Sequence, residues 1–202
     1  MLEHFRTIEE VRSEALTCRR CDLCCPRTQV VFGEGPVPAR LMLVGEGPGA
    51  DEDRIGRPFV GRAGKLLDDV LARAGIRRED AWVTNIVRCR PTRATRAGVR
   101  NRAPRAHQIR ACDLWMTQEL RFVSPSAIVC LGAVSAGALI SRGVRIAESR
   151  GRWLVAGDGI PAIATYHPAY LLRLGGANRE AAESRMLDDL RAASARLRGG
   201  DY

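Results

Sequence analysis

The feature that most constrains the fold is an alternation of short apolar runs with helical patterns along the chain. The runs are mostly apolar and bounded by turn or polar residues, which is typical of strands buried on both faces. Strands that alternate with helices form a parallel sheet covered on both faces. The four predicted strands are Arg40–Glu46, Ala81–Val87, Ser126–Leu131 and Ile160–Tyr166.

The segments between and after these runs carry apolar residues at helical spacing. One helical pattern ends at Gly75, a second runs from Ile109 to Leu120, and a third runs from Met186 to Leu197, with Asn178 as its candidate N-cap. We therefore expect an α/β fold, a three-layer α/β/α sandwich around a central, mainly parallel four-stranded sheet. No linker divides the chain, so residues 1–202 are predicted to form a single domain.

Composition excludes several classes of protein. The chain is 46% hydrophobic and 27% charged, as in ordinary globular domains. Its glycines and prolines are not periodic as in collagen. No run reaches the roughly 18 apolar residues of a membrane span, and residues 1–12 are too charged for a signal peptide. We expect a cytoplasmic monomer that does not enter membranes.

The chain is strongly basic, with a net charge of +9 that comes almost entirely from arginine. The guanidinium group binds phosphates through two parallel hydrogen bonds, so a polyanionic partner such as DNA is one interpretation. The other is that the arginines reflect genomic base composition. Net charge alone does not separate the two.

The cysteines are unevenly distributed, and without a secretory signal we expect reduced thiols. Four lie between residues 17 and 26, and the C-x2-C spacing of Cys18 and Cys21 lets two thiolates reach one metal ion or cluster. A complete site needs four ligands, and Cys89 and Cys112 are the distant candidates. Cys130 lies in an apolar run and is predicted to be a buried strand residue.

Polar residues follow three of the predicted strands, where ligand sites of open parallel sheets occur. These segments are Gly45–Asp53, Asn85 and Tyr166–Pro168. The first is not a nucleotide-binding turn, because its glycines are two apart, Pro48 interrupts it, and its carboxylates would repel a pyrophosphate. Carboxylates at this edge suit the stabilisation of a cation or the orientation of a water molecule.

Several long motifs, in order and in register, carry a resemblance to a known family. The chain resembles the iron-sulfur uracil-DNA glycosylases, family 4 of their superfamily, over residues 16–192, nearly its whole length. The matching segments are Cys18-x2-Cys21, Thr28–Glu34, Gly45–Asp53 continuing through Gly56–Leu67, Thr84–Pro91 and His167–Arg173.

The resemblance implies a monofunctional enzyme of base excision repair. Such an enzyme flips deoxyuridine out of DNA and hydrolyses the N-glycosidic bond, which releases uracil and leaves an abasic site. Asn85 would pair with N3–H and O4 of uracil, although its amide needs neighbours that hold its orientation. Phe59 would stack on the base or belong to the core. His167 would donate to O2 as charge develops there.

The resemblance also assigns two carboxylates. Glu46 would line the uracil pocket together with the backbone of Gly47, and Glu52 is the better candidate for positioning the attacking water.

It further implies a [4Fe-4S] cluster bound by Cys18, Cys21, Cys89 and Cys112, with a structural role. Two alternatives remain open here. Cys24 could compete as a ligand, because Cys18 to Cys25 resembles a ferredoxin run, and the same four thiolates could hold zinc instead.

The segment between Cys89 and Cys112 is longer than usual in family 4 and approaches that of the related X-type subclass, whose members trap DNA covalently through a histidine. Residues 98–104 contain no histidine, but their arginines, Arg100 and Arg102, are candidates for phosphate contacts. The alternative functions are therefore an X-type-like protein that binds uracil-containing DNA tightly or covalently, and a non-catalytic DNA-binding protein.

The last segment of the resemblance suggests how DNA is engaged. Leu171 and Leu172 could fill the gap left by the flipped nucleotide, with Arg173 on a flanking phosphate. The two leucines could instead form the first core turn of a helix.

Overall fold

A five-stranded mixed sheet forms the centre of the structure, a computed structural model that describes residues 5–199. The remaining parts of the predicted domain, residues 1–4 and 200–202, lie outside the described residues. In chain order the strands are β1 (Leu41–Gly45), β2 (Ala81–Asn85), β3 (Thr92–Thr95), β4 (Gly98–Asn101), β5 (Ala127–Leu131), β6 (Trp153–Val155) and β7 (Pro161–Thr165).

The sheet has the order β2-β1-β5-β7-β6, and its first four strands are parallel. These four correspond to the four strands expected from the sequence. Every residue of β1, β2 and β5 is buried, which explains why their sequences are apolar apart from Thr84 and Asn85 at the end of β2.

The prediction of four strands is wrong in its count, because β6 pairs antiparallel with β7 at the sheet edge. This strand has only three residues and is partly exposed, so it lacks the apolar run that marks the others. The remaining two strands, β3 and β4, form a separate antiparallel hairpin within the long segment between Cys89 and Cys112, where no strand was predicted.

Helices cover both faces of the sheet, which confirms the α/β sandwich. One face packs against helices α3 (Arg62–Arg73) and α8 (Gly176–Arg198) through Leu41 and Leu43. The other packs against helices α1 (Ile8–Leu16) and α4 (Ala106–Val123) through Met42 and Val44. Within residues 5–199 no helix has both the length and the apolar character needed to cross a membrane. The helices are α1 (Ile8–Leu16), α2 (Ala50–Ile55), α3 (Arg62–Arg73), α4 (Ala106–Val123), α5 (Ala133–Leu139), α6 (Ile146–Ser149), α7 (Pro168–Leu171) and α8 (Gly176–Arg198).

The backbone conformation of two glycines explains where α3 ends and where α8 begins. Just beyond α3, Gly75 has a φ of +72°, a left-handed conformation that favours glycine and stops the helix as expected. The start of α8 differs from the prediction. Gly175, and not Asn178, is the N-cap, because the chain is still extended there and turns helical at the next residue.

Candidate active site

A pocket of about 450 Å³ opens at the carboxyl ends of β1, β2 and β7. All three polar segments that follow predicted strands contribute to its wall, so the expected convergence at this edge of the sheet is confirmed. Most of the site residues proposed from the sequence meet here: Glu46, Gly47, Glu52, Phe59, Asn85, Arg102, His167 and Arg173.

Asn85 is the last residue of β2 and is only 2% exposed. It pairs in register with Gly45, the last residue of β1. A Cβ atom at Gly45 would lie 2.5 Å from both Asn85 Oδ1 and Phe59 Cζ. The missing side chain of Gly45 is therefore what lets the amide and the aromatic ring meet at the base of the pocket.

Phe59 has a φ of 54°, a left-handed conformation that is rare for an aromatic residue. Its surroundings hold it there: its carbonyl oxygen accepts a hydrogen bond from Arg78 Nη1 at 3.3 Å, and Gly64 of α3 packs directly against the same oxygen. The ring centre lies 6.0 Å from that of His167. Backbone strain of this kind is typical of functional sites, where neighbouring structure enforces it.

His167 is the N-cap of α7, and its Nδ1 accepts a hydrogen bond from the Ala169 N–H at 3.1 Å. In a neutral ring the proton therefore resides on Nε2, which makes Nε2 a hydrogen-bond donor. Burial lowers the pKa of His167 to about 4, and the positive charge of Arg173 contributes to the shift. The imidazole is thus neutral at physiological pH.

The two candidate carboxylates differ in their partners. Glu52 holds the surrounding loop in place through three hydrogen bonds. Its Oε1 accepts hydrogen bonds from the Val60 N–H at 3.0 Å and the Gly61 N–H at 2.8 Å. Its Oε2 accepts one from the Gly49 N–H at 3.1 Å. The Glu46 carboxylate has no hydrogen-bond or ion-pair partner among residues 5–199. Burial raises its pKa, and Arg173 opposes this. Glu46 is therefore the carboxylate whose oxygens are free for a ligand.

The hairpin formed by β3 and β4 places a cation beside the pocket. The Arg102 guanidinium donates to the carbonyl oxygens of Thr92 and Ala103 and to Gln108 Oε1, at 3.0, 2.8 and 3.0 Å. All three acceptors are neutral, and among residues 5–199 the guanidinium of Arg102 has no carboxylate partner. Arg100, on the exposed strand β4, lies outside the pocket wall.

The segment after His167 divides between the core and the surface. Leu171 is 0% exposed and packs in the core shared by α3, β7 and α8, which corrects the expectation that it contacts DNA. Leu171 is buried because it lies in α7 and packs against this core. Leu172 is partly buried and Arg173 is exposed at the pocket mouth, with its guanidinium 5.9 Å from the ring centre of Tyr170.

A second pocket brings together the four cysteines selected from the sequence. Cys18, Cys21, Cys89 and Cys112 line it, together with residues of α1 and α4. The competing Cys24 contacts Cys25 instead, with 3.6 Å between the sulfur atoms. As expected, Cys130 is buried in β5, where burial raises its thiol pKa to about 12.

The surroundings of these thiols fit a metal cluster. Three of the sulfur atoms accept hydrogen bonds at 3.3–3.4 Å, Cys18 from Trp115 Nε1, Cys89 from Arg27 and Cys112 from the Arg88 N–H. Such donors favour thiolates.

The four thiols share one pocket lining. Across residues 5–199 no three His, Cys, Asp or Glu side chains are grouped so as to hold one metal ion.

Sequence reasoning missed one buried ion pair beside the thiol pocket. Arg88 is 1% exposed and Glu119 is 0% exposed. Arg88 Nη2 lies 2.9 Å from Glu119 Oε1, which makes the two residues an ion pair, although these two atoms are not aligned for a hydrogen bond. The available signal was a charged residue inside the otherwise apolar run from Ile86 to Cys89.

Comparisons with known proteins agree with this architecture. The family model of the Uracil DNA glycosylase superfamily matches residues 32–191. The chain is 41% identical to the Type-4 uracil-DNA glycosylase of Thermotoga maritima over 170 residues, which is 82% of this chain and 83% of that protein. It is 40% identical to the Type-4 uracil-DNA glycosylase of Pyrobaculum aerophilum over 163 residues, 77% of this chain and 80% of that protein. A Type-5 uracil-DNA glycosylase of the same organism is 31% identical over 153 residues, 68% of this chain and 64% of that protein.

Proposed function

Because the chain belongs to the type-4 uracil-DNA glycosylases, we propose that it removes uracil from DNA by hydrolysing the N-glycosidic bond. The observation that carries this proposal is the meeting of an amide, an aromatic ring, a neutral imidazole and an unpartnered carboxylate in one pocket. Chemistry on a nucleobase requires that the nucleotide leave the base stack, so the pocket would receive a flipped deoxyuridine.

Asn85 and Phe59 recognise the base in this proposal. The Asn85 amide accepts a hydrogen bond from uracil N3–H and donates one to O4, a pattern that cytosine presents in reverse. Phe59 stacks on the flipped base, and Gly47 lines the same pocket. The absence of a side chain at Gly45 is what leaves space for this arrangement.

His167 stabilises the leaving group. As the glycosidic bond breaks, negative charge accumulates on O2 of the departing uracil, and the Nε2–H group of His167 donates to it. The hydrogen bond from Ala169 to Nδ1 selects the tautomer that this requires. A neutral donor needs no protonation at physiological pH, in line with the lowered pKa of His167.

Glu46 acts on the sugar. The deoxyribose becomes cationic in the transition state, and a carboxylate nearby stabilises it and orients the attacking water. Glu46 is better suited to this than Glu52, our choice from the sequence, because the oxygens of Glu52 already accept three backbone hydrogen bonds. In this proposal Glu52 keeps the pocket loop in shape.

Arginines near the pocket bind the DNA backbone. Arg102 supplies a positioned cation, and Arg100 and Arg173 extend the basic surface on either side of the pocket mouth. Leu172, rather than the buried Leu171, is the candidate for filling the gap in the duplex. We propose that the chain acts as a single-domain monomer, which light scattering with and without DNA tests.

Cys18, Cys21, Cys89 and Cys112 would hold a [4Fe-4S] cluster. Bound there, the cluster would supply structural cross-linking, joining the segment after α1 to the loop after β2 and to α4. The protein purified without oxygen is expected to be brown, with iron and sulfide in equal amounts. The variant Cys89→Ser should lose iron while Cys24→Ser keeps it. Stoichiometric zinc without iron would overturn the cluster assignment.

A uracil-containing oligonucleotide tests the activity. We expect release of free uracil and an alkali-labile abasic site, with a cytosine-containing oligonucleotide left intact. Asn85→Ala and His167→Ala should each slow single-turnover release by about ten- to a thousandfold with little change in DNA affinity. A protein–DNA band that survives denaturing electrophoresis would favour covalent trapping, and binding without release would favour the non-catalytic alternative.

A further inference from the structure

Arg88 lines the thiol pocket, and its side chain extends to the carbonyl oxygen of Asn85, a residue of the candidate active site. Its guanidinium is buried and is paired with Glu119, which is itself fully buried. Glu119 is held from two further elements, because its Oε2 accepts from Trp82 Nε1 at 3.0 Å and its Oε1 from the Gly33 N–H at 3.4 Å. These hydrogen bonds therefore fix the position of the Glu119 carboxylate.

The basic side of the pair binds the main chain of the candidate base-reading residue. Arg88 Nη1 donates to the carbonyl oxygen of Asn85 at 2.7 Å and to that of Ile86 at 3.1 Å. The pairing of β1 with β2 ends at Gly45 and Asn85. Just beyond this point the N–H groups of Ile86 and Val87 still bond to the segment of Gly45 and Glu46, and Arg88 supplies the donor for the carbonyl oxygens of Asn85 and Ile86.

The same residue contacts the thiol pocket through its backbone. The Arg88 N–H donates to Cys112 Sγ at 3.4 Å, and Cys89 follows it in the chain. Glu119 lies seven residues beyond Cys112, which is about two turns along the same face of α4. One buried side chain therefore joins the end of β2 to the helix that forms the thiol pocket wall.

We propose that Arg88 is a positioning residue that holds the main chain of Asn85 and so sets the direction of its amide. The inference rests on the proposed function, since that proposal makes Asn85 the reader of uracil. An asparagine amide distinguishes uracil from cytosine only while its oxygen and nitrogen keep their places. Arg88 provides part of the support that this discrimination requires, from outside the pocket.

A purely structural role for the ion pair makes different predictions. If Arg88 only stabilised the fold, its loss would lower the melting temperature and leave the rate per folded molecule unchanged. A positioning role lowers that rate and the preference for uracil. Removing one partner would leave a buried charge unpaired, whereas removing both with apolar residues of similar size is often tolerated.

The experiment compares wild type, Arg88→Lys and the double variant Arg88→Met/Glu119→Leu. The matched control is Arg73→Met, which removes a cation that bridges α3 and α8 by pairing with Glu183 away from the pocket. Single-turnover uracil release is measured per folded molecule, with visible absorbance as the check on the thiol pocket. Hydrogen exchange of the Ile86 and Val87 amides, which bond to the carbonyl oxygens of Gly45 and Glu46, reports on the main chain directly.

We expect the double variant to release uracil about ten- to a hundredfold more slowly, the size of effect that small misplacement of a reacting group produces. Arg88→Lys should recover part of the rate, because an ammonium group can still donate to Asn85, and the control should match wild type. Exchange at Ile86 and Val87 should accelerate in the double variant.

A folded double variant with wild-type rate and unchanged exchange would overturn the role of Arg88. If wild type releases no uracil, the proposed function fails, and the exchange measurement still decides whether Arg88 holds this segment.

Discussion

The protonation of His167 leads to a quantitative prediction about acid stability. Burial lowers its pKa from 6.5 to about 4 in the folded protein. At pH values between 4 and 6.5, His167 is protonated in the unfolded chain but neutral in the folded protein, so acidification favours unfolding. The contribution of His167 to the unfolding free energy is fully present above pH 6.5 and is lost as the pH falls toward 4.

The size of the effect follows from the shift. One pKa unit corresponds to about 1.36 kcal/mol, so the full shift is linked to about 3.4 kcal/mol. When the pH is lowered from 7.5 to 5.0, the protonation of His167 in the unfolded chain should reduce the unfolding free energy by about 2 kcal/mol. The variant His167→Gln is the reference, because its amide can accept from Ala169 and donate toward the pocket without titrating.

Urea unfolding of both proteins at several pH values under anaerobic conditions measures the difference. The unfolding free energy of wild type should fall by about 2 kcal/mol more than that of His167→Gln over this range. Equal pH dependence of the two proteins would refute the reasoning, because it would mean that the folded imidazole titrates as it does in the unfolded chain.

Four further substitutions test separate parts of the structure. Gly45→Ala would place a methyl group 2.5 Å from the amide and ring atoms that meet there. It should lower uracil release at least tenfold in an oligonucleotide assay, whereas Gly137→Ala, which has open space around it, should not. Arg102→Ala should weaken DNA binding and reduce the slope of log affinity against log salt by about 1, without affecting inhibition by free uracil. Leu171→Ala should cost about 2–5 kcal/mol in urea unfolding, as buried leucines do. Leu172→Ala should instead reduce activity on duplex DNA more than on single strands, and the reverse pattern for the two leucines would contradict their placement.

Much of the architecture could be predicted because burial leaves a strong one-dimensional signal. Strands covered on both faces must be continuously apolar, and the carboxyl ends of parallel strands must share one edge. The sequence alone therefore predicts that Asn85 and His167 lie together. The edge strand β6 escaped detection because three partly exposed residues carry no such pattern.

Interactions between distant charged groups could not be predicted in this way. Arg88 and Glu119 are 31 residues apart, and nothing in the sequence of either marks the other as its partner. The same limit applied to Glu52, whose acceptance of three backbone N–H groups depends on how the loop closes. For Leu171 the sequence allowed both a core and a surface role, since a short helix turn presents neighbouring residues to opposite sides.

The hairpin of β3 and β4 also bears on how this protein can change over evolutionary time. Its base adjoins the pocket through Pro91 and Arg102, whereas its tip is exposed, and a side chain at Gly98 would meet nothing within 4 Å. Lengthening the turn between Thr95 and Gly98 would cost little, because loop-closure entropy grows slowly with length. The tip can therefore change in sequence and length while the residues that line the pocket stay unaltered, and a reporter peptide inserted at Ala97 should be well tolerated.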